Sequence, residues 1–281
     1  MVNFNGNLFS KDSEILTQNN RGLKYGDALF ETIRCVNGTV FFWEDHYFRL
    51  MASMRILRME IPMEFTLEFL EEQIRRTVGK NDFANSPSRV RLTVFRNDGG
   101  FYGPLTNKIS YIIEVSPLES PFYIIEEVPY VVELFKDYYV NKDMLSNLKT
   151  TNKVLNVVAS VYAKENGYQN CLLINNDKNV VETINGNLFL VSGEKVKTPP
   201  LTDGSLNGII RKKLLEILSS LDDITLEEAS ISPFELQKAD ELFITNSISG
   251  IIPITKYRKK QFDTTFSKSL VGKLNAKARV G

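Results

Sequence analysis

The sequence predicts an α/β (α+β) protein of two domains: a smaller N-terminal α+β domain over 1–117, a linker at 118–121, and a larger C-terminal domain over 122–281. Three observations predict it. The chain has 281 residues, and at a working ~150 residues per domain it can form one large domain or two of ordinary size, with enough length to bury a core. Runs of β-prone residues and runs of helical period both occur before and after residue 117. Pro117, Ser120 and Pro121 form a short turn-rich cluster between two such series, a natural place for a boundary.

The elements follow in order. Ala28 to Val36 and Thr39 to Phe42 flank Asn37-Gly38, the strongest short-range hairpin signal. Glu44 and Asp45 then favour a helix N-terminus, and Tyr47, Leu50, Met51, Met54 and Leu57 recur at helical spacing, leaving His46, Arg49 and Ser53 on another face. Pro62 opens a second helix with Leu67, Leu70, Ile74 and Val78 as its apolar stripe. Arg89 to Phe95 and Ile109 to Val115 read as strands joined by the polar, glycine-bearing loop from Asn97 to Lys108. Beyond the linker come strands near 124–134, a helix over about 152–165, strands at 171–174 and 188–191, and a helix opened by Gly208 and running through Leu218. Ser232-Pro233-Phe234-Glu235 is a capping box with proline at the first helical position. A strand at 242–245 and a terminal helix within 262–280 complete the chain.

Composition removes several classes of function. Lys plus Arg number 34 and Asp plus Glu 34, so the formal charge is zero; a nucleic-acid footprint or a polybasic membrane surface would need a marked excess of cations. Cys35 and Cys171 form no close pair, which points away from a disulfide framework or a thiolate metal site and toward a reducing compartment. His46 is the single histidine, too few for a multi-histidine metal site and a poor basis for a histidine-driven nucleophile. No apolar run approaches the ~20 residues of a membrane span. A soluble, cytoplasmic protein that serves small molecules is expected.

Without histidine chemistry, reactivity can come from a cofactor, and an imine-forming lysine is the simplest protein handle for one. Lys149, in Ser-Asn-Leu-Lys-Thr-Thr-Asn, is placed at a turn between a strand region and a helix. A lysine taken alone is ordinarily a solvated surface residue. Several stretches taken together say more: Tyr-Gly-Asp-Ala-Leu-Phe-Glu-Thr-Ile-Arg at 25–34, His46-x-x-Arg49-Leu50, Lys149 with Asn152, Glu182-x-x-x-x-Asn187-x-Phe189, Asn207-Gly208-Ile209-Ile210-Arg211, and Ala-Asp-Glu-Leu-Phe-Ile-Thr-Asn-Ser at 239–247. In this order they resemble the class IV aminotransferases, the fold-type IV enzymes that use pyridoxal 5′-phosphate (PLP).

The resemblance runs from about Leu23 to Pro253 and assigns roles. Lys149 would condense with the cofactor aldehyde and later carry a proton, while Glu182 would keep the ring nitrogen protonated. Arg49, the backbone amides of Ile209 and Ile210, and the Ser247 hydroxyl would hold the phosphate, with Asn187 also at the cofactor. Residue chemistry agrees: Gly208 lets backbone approach closely, helix N-terminal amides favour an anion, and arginine suits phosphate. Phe30, Arg91 and Asn246 would face substrate. His46 has no part in the chemistry and reads as structural or surface. The resemblance also implies a pseudo-barrel C-terminal domain, a cofactor in the cleft between the domains, and a homodimer.

The reaction follows from local features. The stretch Arg96-Asn97-Asp98-Gly99-Gly100-Phe101-Tyr102 and Thr245-Asn246-Ser247 are similar to stretches of the aminodeoxychorismate lyases, which make 4-aminobenzoate and pyruvate for folate synthesis. The same loop lacks the Arg-x-His of the D-amino acid transaminases, having Phe101 and Gly103 in those places. Thr32 stands where branched-chain transaminases carry glycine, although Arg91 matches an arginine of that branch. The lyase is the favoured reading and a transaminase the alternative. A third reading, a binding protein that keeps the fold without catalysis, is opposed by the presence of Lys149, Glu182 and Arg49. Nucleotide-binding glycine loops of the GxGxxG or GxxxxGK[ST] type do not occur.

Overall fold

The computed structural model describes residues 1–280. The chain divides into two compact units, one of Met1–Pro121 with Lys149–Asn152 and one of Phe122–Leu148 with Lys153–Val280. The short stretch that carries Lys149 thus groups with the first unit, although its sequence neighbours on either side belong to the second.

The first unit contains β1 (Val2–Phe4), β2 (Asn7–Phe9), α1 (Arg21–Tyr25), β3 (Ala28–Val36), β4 (Thr39–Val40), α2 (Trp43–Ile56), α3 (Leu67–Gly79), β5 (Ser88–Arg96) and β6 (Ile109–Pro117). Its sheet has the order β2-β1-β6-β5-β3-β4, with every pairing antiparallel. The Asn37-Gly38 hairpin forms as expected, both residues taking positive φ (50° and 75°) and Val36 facing Thr39. Strand β4 is shorter than the expected run because Phe42 turns into the left-handed region (φ 53°) to start α2. A second Asn-Gly turn, Asn5 (φ 49°) and Gly6 (φ 83°), joins β1 to β2, a hairpin absent from the sequence expectation.

Helix α2 buries Leu50, Met51 and Met54 as its stripe predicts, but His46 and Ser53 are buried as well. The face assigned to polar residues is therefore an inner face, and His46 is not at the surface. Helix α3 begins at Leu67 instead of Pro62. The Thr66 hydroxyl accepts from the Phe69 amide at 3.1 Å and supplies the cap, whereas Pro62 only closes a turn through Phe65 N–H to Pro62 O at 3.0 Å.

The second unit contains β7 (Val131–Leu134), α4 (Val154–Glu165), β8 (Asn170–Ile174), β9 (Val180–Thr183), β10 (Asn187–Ser192), β11 (Lys195–Thr198), α5 (Ile209–Leu218), β12 (Thr225–Glu228), α6 (Pro233–Leu236), β13 (Glu241–Asn246), β14 (Gly250–Ile254), β15 (Lys256–Tyr257), β16 (Lys260–Gln261) and α7 (Thr265–Val280). Ten strands form one mixed sheet, β12-β11-β10-β9-β8-β7-β15-β16, which branches at β10 to β13 and β14. The pairs β7/β8, β7/β15 and β11/β12 are parallel.

Strand β8 shows why this sheet reads as apolar runs. Leu172 and Ile174 enter a core with Leu188, Leu242 and Ile254, while Cys171 and Leu173 face Phe135 and the small residues Ala159 and Ala163 of α4, so both faces are covered. Only β7 survives of the strand expected over 124–134, and α4 starts at Val154 instead of 152. The capping box at Ser232 is present, with the Glu235 side chain accepting from the Ser232 amide at 2.8 Å. Among the described residues no helix is long and apolar enough to cross a membrane.

Candidate active site

Lys149 is held by backbone. Phe30 N–H donates to Lys149 O at 2.9 Å, Thr151 N–H donates to Ala28 O at 3.0 Å, and Leu29 pairs with Thr150 in an antiparallel bridge. The lysine therefore lies in an extended segment that prolongs the pairing of β3, not in the turn the sequence suggests. Its ammonium stands 4.5 Å from the centroid of the Phe30 ring, and the Arg91 guanidinium carbon stands 3.9 Å from the same ring. Arg91 is steadied by its Nε–H bond to the Thr93 hydroxyl at 3.2 Å. Thr32, two residues on from Phe30 and so on the same strand face, is directly opposite Arg91 in the register. Two cations on one aromatic ring make this face suited to a carboxylate.

Glu31, between Phe30 and Thr32, points to the other face of β3 and meets α2. Its carboxylate accepts from Arg49 Nε at 2.8 Å and Nη2 at 2.5 Å, and lies 2.6 Å from His46 Nδ1. All three side chains are almost fully buried. Burial by itself raises the Glu31 pKa, but the Arg49 guanidinium and His46 outweigh it and hold the carboxyl at about 2. For His46 burial dominates and pushes the pKa down despite Glu31, so the ring is neutral and its Nδ1 carries the proton given to the carboxylate. Glu31 was not singled out by sequence reasoning. The signal available was the His46-x-x-Arg49 spacing, which puts both side chains on one helix face and asks for a common acidic partner.

Arg96 has a different place from the one its loop suggests. It is buried, donating from Nε to Asp27 at 2.9 Å, from Nη1 to Asn107 Oδ1 at 2.6 Å, and from Nη2 to Leu57 O at 2.7 Å. The same Asp27 oxygen accepts from Arg21 Nε at 2.9 Å, and Arg21 Nη1 in turn holds the carbonyls of Gly99 and Phe101 at 2.9 and 2.6 Å. Arg96 thus belongs to the scaffold that shapes the loop, while Phe101, Tyr102 and Leu105 are exposed on it.

In the second unit the residues expected around the cofactor are gathered by Leu206. The Glu182 carboxylate accepts from Leu206 N–H at 2.9 Å, and Asn187, paired with Glu182 across β9 and β10, donates from Nδ2 to Leu206 O at 2.8 Å. Gly208 follows as the N-cap of α5, with no side-chain cap bond on the helix amides that begin with Ile209 and Ile210. A Cβ at 208 would fall 1.9 Å from Asn187 Oδ1, so only glycine permits this approach. Asn246 and Ser247 lie at the β13/β14 turn: Asn246 Oδ1 accepts from the amides of Ile248 and Ser249 at 3.0 and 2.8 Å, and the Ser247 carbonyl accepts from the Tyr123 hydroxyl at 3.1 Å. Asn246 is therefore engaged in shaping the turn. Lys153, four residues beyond Lys149, is near Glu182, and burial lowers its pKa although Glu182 opposes the shift.

Both cysteines are free and buried, and burial raises each thiol to about 11, which leaves them as core residues. Among the described residues no cluster of His, Cys, Asp or Glu could hold a metal ion.

The family model described as "Amino-transferase class IV" matches residues 28–257. The chain is similar to a D-alanine aminotransferase of Bacillus licheniformis, with 27% identity over 90% of this chain and 87% of that protein. It is similar to an aminodeoxychorismate lyase of Bacillus subtilis, with 26% identity over 93% and 88%. Among solved structures it resembles the branched-chain aminotransferase of Thermoproteus uzoniensis with norvaline, at a TM-score of 0.87 and 27% identity over 98% of this chain and 93% of that one. The chain belongs to the class IV aminotransferase family and is a PLP-dependent enzyme.

Proposed function

We propose that this chain is a 4-amino-4-deoxychorismate lyase, which releases pyruvate and leaves 4-aminobenzoate. The observation that carries this reading is the pairing of Thr32 with Arg91 on the strand face of Phe30, together with a loop that offers no histidine. A D-amino acid transaminase of the Arg-x-His type has no counterpart for its clamp, since the single histidine is buried against Glu31. A branched-chain transaminase would have glycine in place of Thr32, where here a branched side chain narrows the face.

The residues fit PLP on two observations. The close approach at Gly208 and the uncapped start of α5 form a backbone cradle suited to an anion. Beside it in the sheet, Thr245, paired in register with Asn187, has a buried hydroxyl with no protein partner. Arg49, the amides of Ile209 and Ile210 and the Ser247 hydroxyl would hold the phosphate, Glu182 would face the ring nitrogen with Asn187 fixing its strand neighbour, and Lys149 would meet the aldehyde. PLP supplies an electrophilic carbon for the substrate amine and an electron sink for the pair left when a proton departs.

The protein residues then divide the remaining work. Lys149 Nζ takes the proton from the carbon bearing the substrate nitrogen and gives it to the departing enolpyruvate as the neighbouring ring–oxygen bond breaks, which aromatises the ring and leaves pyruvate. Glu182, fixed by the Leu206 amide, would keep the ring nitrogen protonated. Arg91 and Phe30 would place a substrate carboxylate beside the lysine, and Asn246 orders the β13/β14 turn.

A transaminase is the second reading, favoured by Arg91 beside Lys149 and by the relatives named as D-alanine and branched-chain aminotransferases. A homodimer is part of either reading, supported by the exposed apolar side chains Val154, Val157 and Val161 along α4. The test is pyruvate release from 4-amino-4-deoxychorismate by purified enzyme with no added 2-oxo acid. Release identifies the lyase. Turnover only when an amino acid and a 2-oxo acid are both supplied, with ping-pong kinetics, identifies the transaminase and rejects the lyase.

A further inference from the structure

The buried acid of β3 has no role in the chemistry outlined above, and its geometry gives it one. We propose that Glu31, steadied by His46, is a positioning residue that fixes the Arg49 guanidinium for the cofactor phosphate. The inference rests on the reading of Arg49 as a phosphate ligand and adds to it the group that makes Arg49 selective.

A free arginine side chain has about 2 kcal/mol of rotamer entropy to lose when it is ordered on an anion. Here the Nε and Nη2 edge is already taken by both oxygens of one carboxylate, at 2.8 and 2.5 Å. A two-point pair fixes both the plane of the guanidinium and its rotation, Nη1 included. The carboxylate is itself prevented from turning, because His46 Nδ1–H donates to Oε2 at 2.6 Å and because the side chain lies on β3, which pairs with β5 from Ala28 to Cys35. His46 and Arg49 share one face of α2 three residues apart, so strand and helix hold the carboxylate from two directions. Leaving Arg49 charged without its partner would cost folding energy, so a purely structural pair is the competing account. The two accounts differ in one respect: only a positioning role is specific for the phosphate.

The experiment titrates the full-length protein, stripped of cofactor, with pyridoxal 5′-phosphate and separately with pyridoxal, reading Trp43 fluorescence. The ratio of the two affinities isolates the phosphate contribution. Glu31→Gln keeps the shape and removes the charge. It is expected to lower PLP affinity by about tenfold or more while pyridoxal affinity holds, so that the ratio collapses toward that of Arg49→Ala. His46→Asn is expected to lower the ratio in the same sense by a smaller factor, and serves alone if Glu31→Gln does not fold. A lowered melting temperature with an unchanged ratio in the folded variant would overturn the positioning role and leave a structural pair. If Arg49→Ala itself leaves the ratio unchanged, the phosphate assignment of Arg49 fails and the inference falls with it. If Arg49→Ala collapses the ratio and the Glu31 and His46 variants do not, the inference alone fails.

Discussion

The two units equip their candidate residues with different materials. In the first, the proposed site rests on charged side chains set against one another: Glu31 between Arg49 and His46, and Lys149 and Arg91 on one phenyl ring. In the second it rests on backbone: Leu206 offers its amide to Glu182 and its carbonyl to Asn187, and Gly208 opens α5 without a side-chain cap. Side-chain charge can be tuned by pH and by isosteric substitution. A backbone cradle responds to neither and fails instead when an atom is added. The first unit should therefore be sensitive to charge and the second to bulk.

The largest expected effect is that of Lys149→Ala, which should reduce turnover by about a thousandfold or more. The melting temperature should barely move, because the segment is anchored through the Lys149 carbonyl and its neighbours. Comparable losses in activity and stability would show that the side chain is part of the packing. Next is Glu182→Ala, expected to lower turnover by about a hundredfold with far less effect on folding, since the side chain is only half-buried and accepts from the amide of Leu206 in a loop. Equal losses in both would remove its chemical role.

Gly208→Ala tests the backbone side of the comparison. A methyl 1.9 Å from Asn187 Oδ1 must displace that amide or the start of α5, at about 1–3 kcal/mol of stability and with weakened cofactor binding. Binding and melting curves like those of the unaltered protein would show that the cradle is not tightly fitted.

The smallest effect is on acid stability of the first unit. A histidine held neutral in the fold contributes stability that is complete above its ordinary value of 6.5 and is lost as pH falls, because the unfolded chain then binds a proton the folded chain does not. Glu31 adds a second window, with its contribution complete above 4.5 and lost as pH falls toward about 2. Each group contributes at most about 1.4 kcal/mol per pH unit within its window. Denaturant unfolding at stepped pH should show both, and His46→Asn should flatten only the upper one. A stability profile flat from neutrality to 4.5 would contradict the neutral buried ring.

Local rules carried much of the fold. The Asn37-Gly38 hairpin, the Gly208 start of α5 and the Ser232 capping box are each fixed by residues close in sequence. The same rule applied to Asn5-Gly6 would have found β1 and β2, whose three-residue strands are too short for an alternation signal. Pro62 misled because a proline compatible with a helix start also suits a turn, and Thr66 was the better cap. The candidate site was legible where a family motif names the residue, as at Lys149, Glu182 and Arg49. Its supporting groups were not, because they are joined by long-range pairs. Glu31 meets α2 only once β3 is placed, Leu206 meets Glu182 only once β9 and β10 pair, and Arg96 is withdrawn into the scaffold by Asp27.

The most direct test is to reduce the cofactor-loaded protein with borohydride and map the modified peptide by mass. The account predicts the pyridoxyl adduct on Lys149. An adduct on Lys153, the lysine near Glu182, or on any other lysine would contradict it.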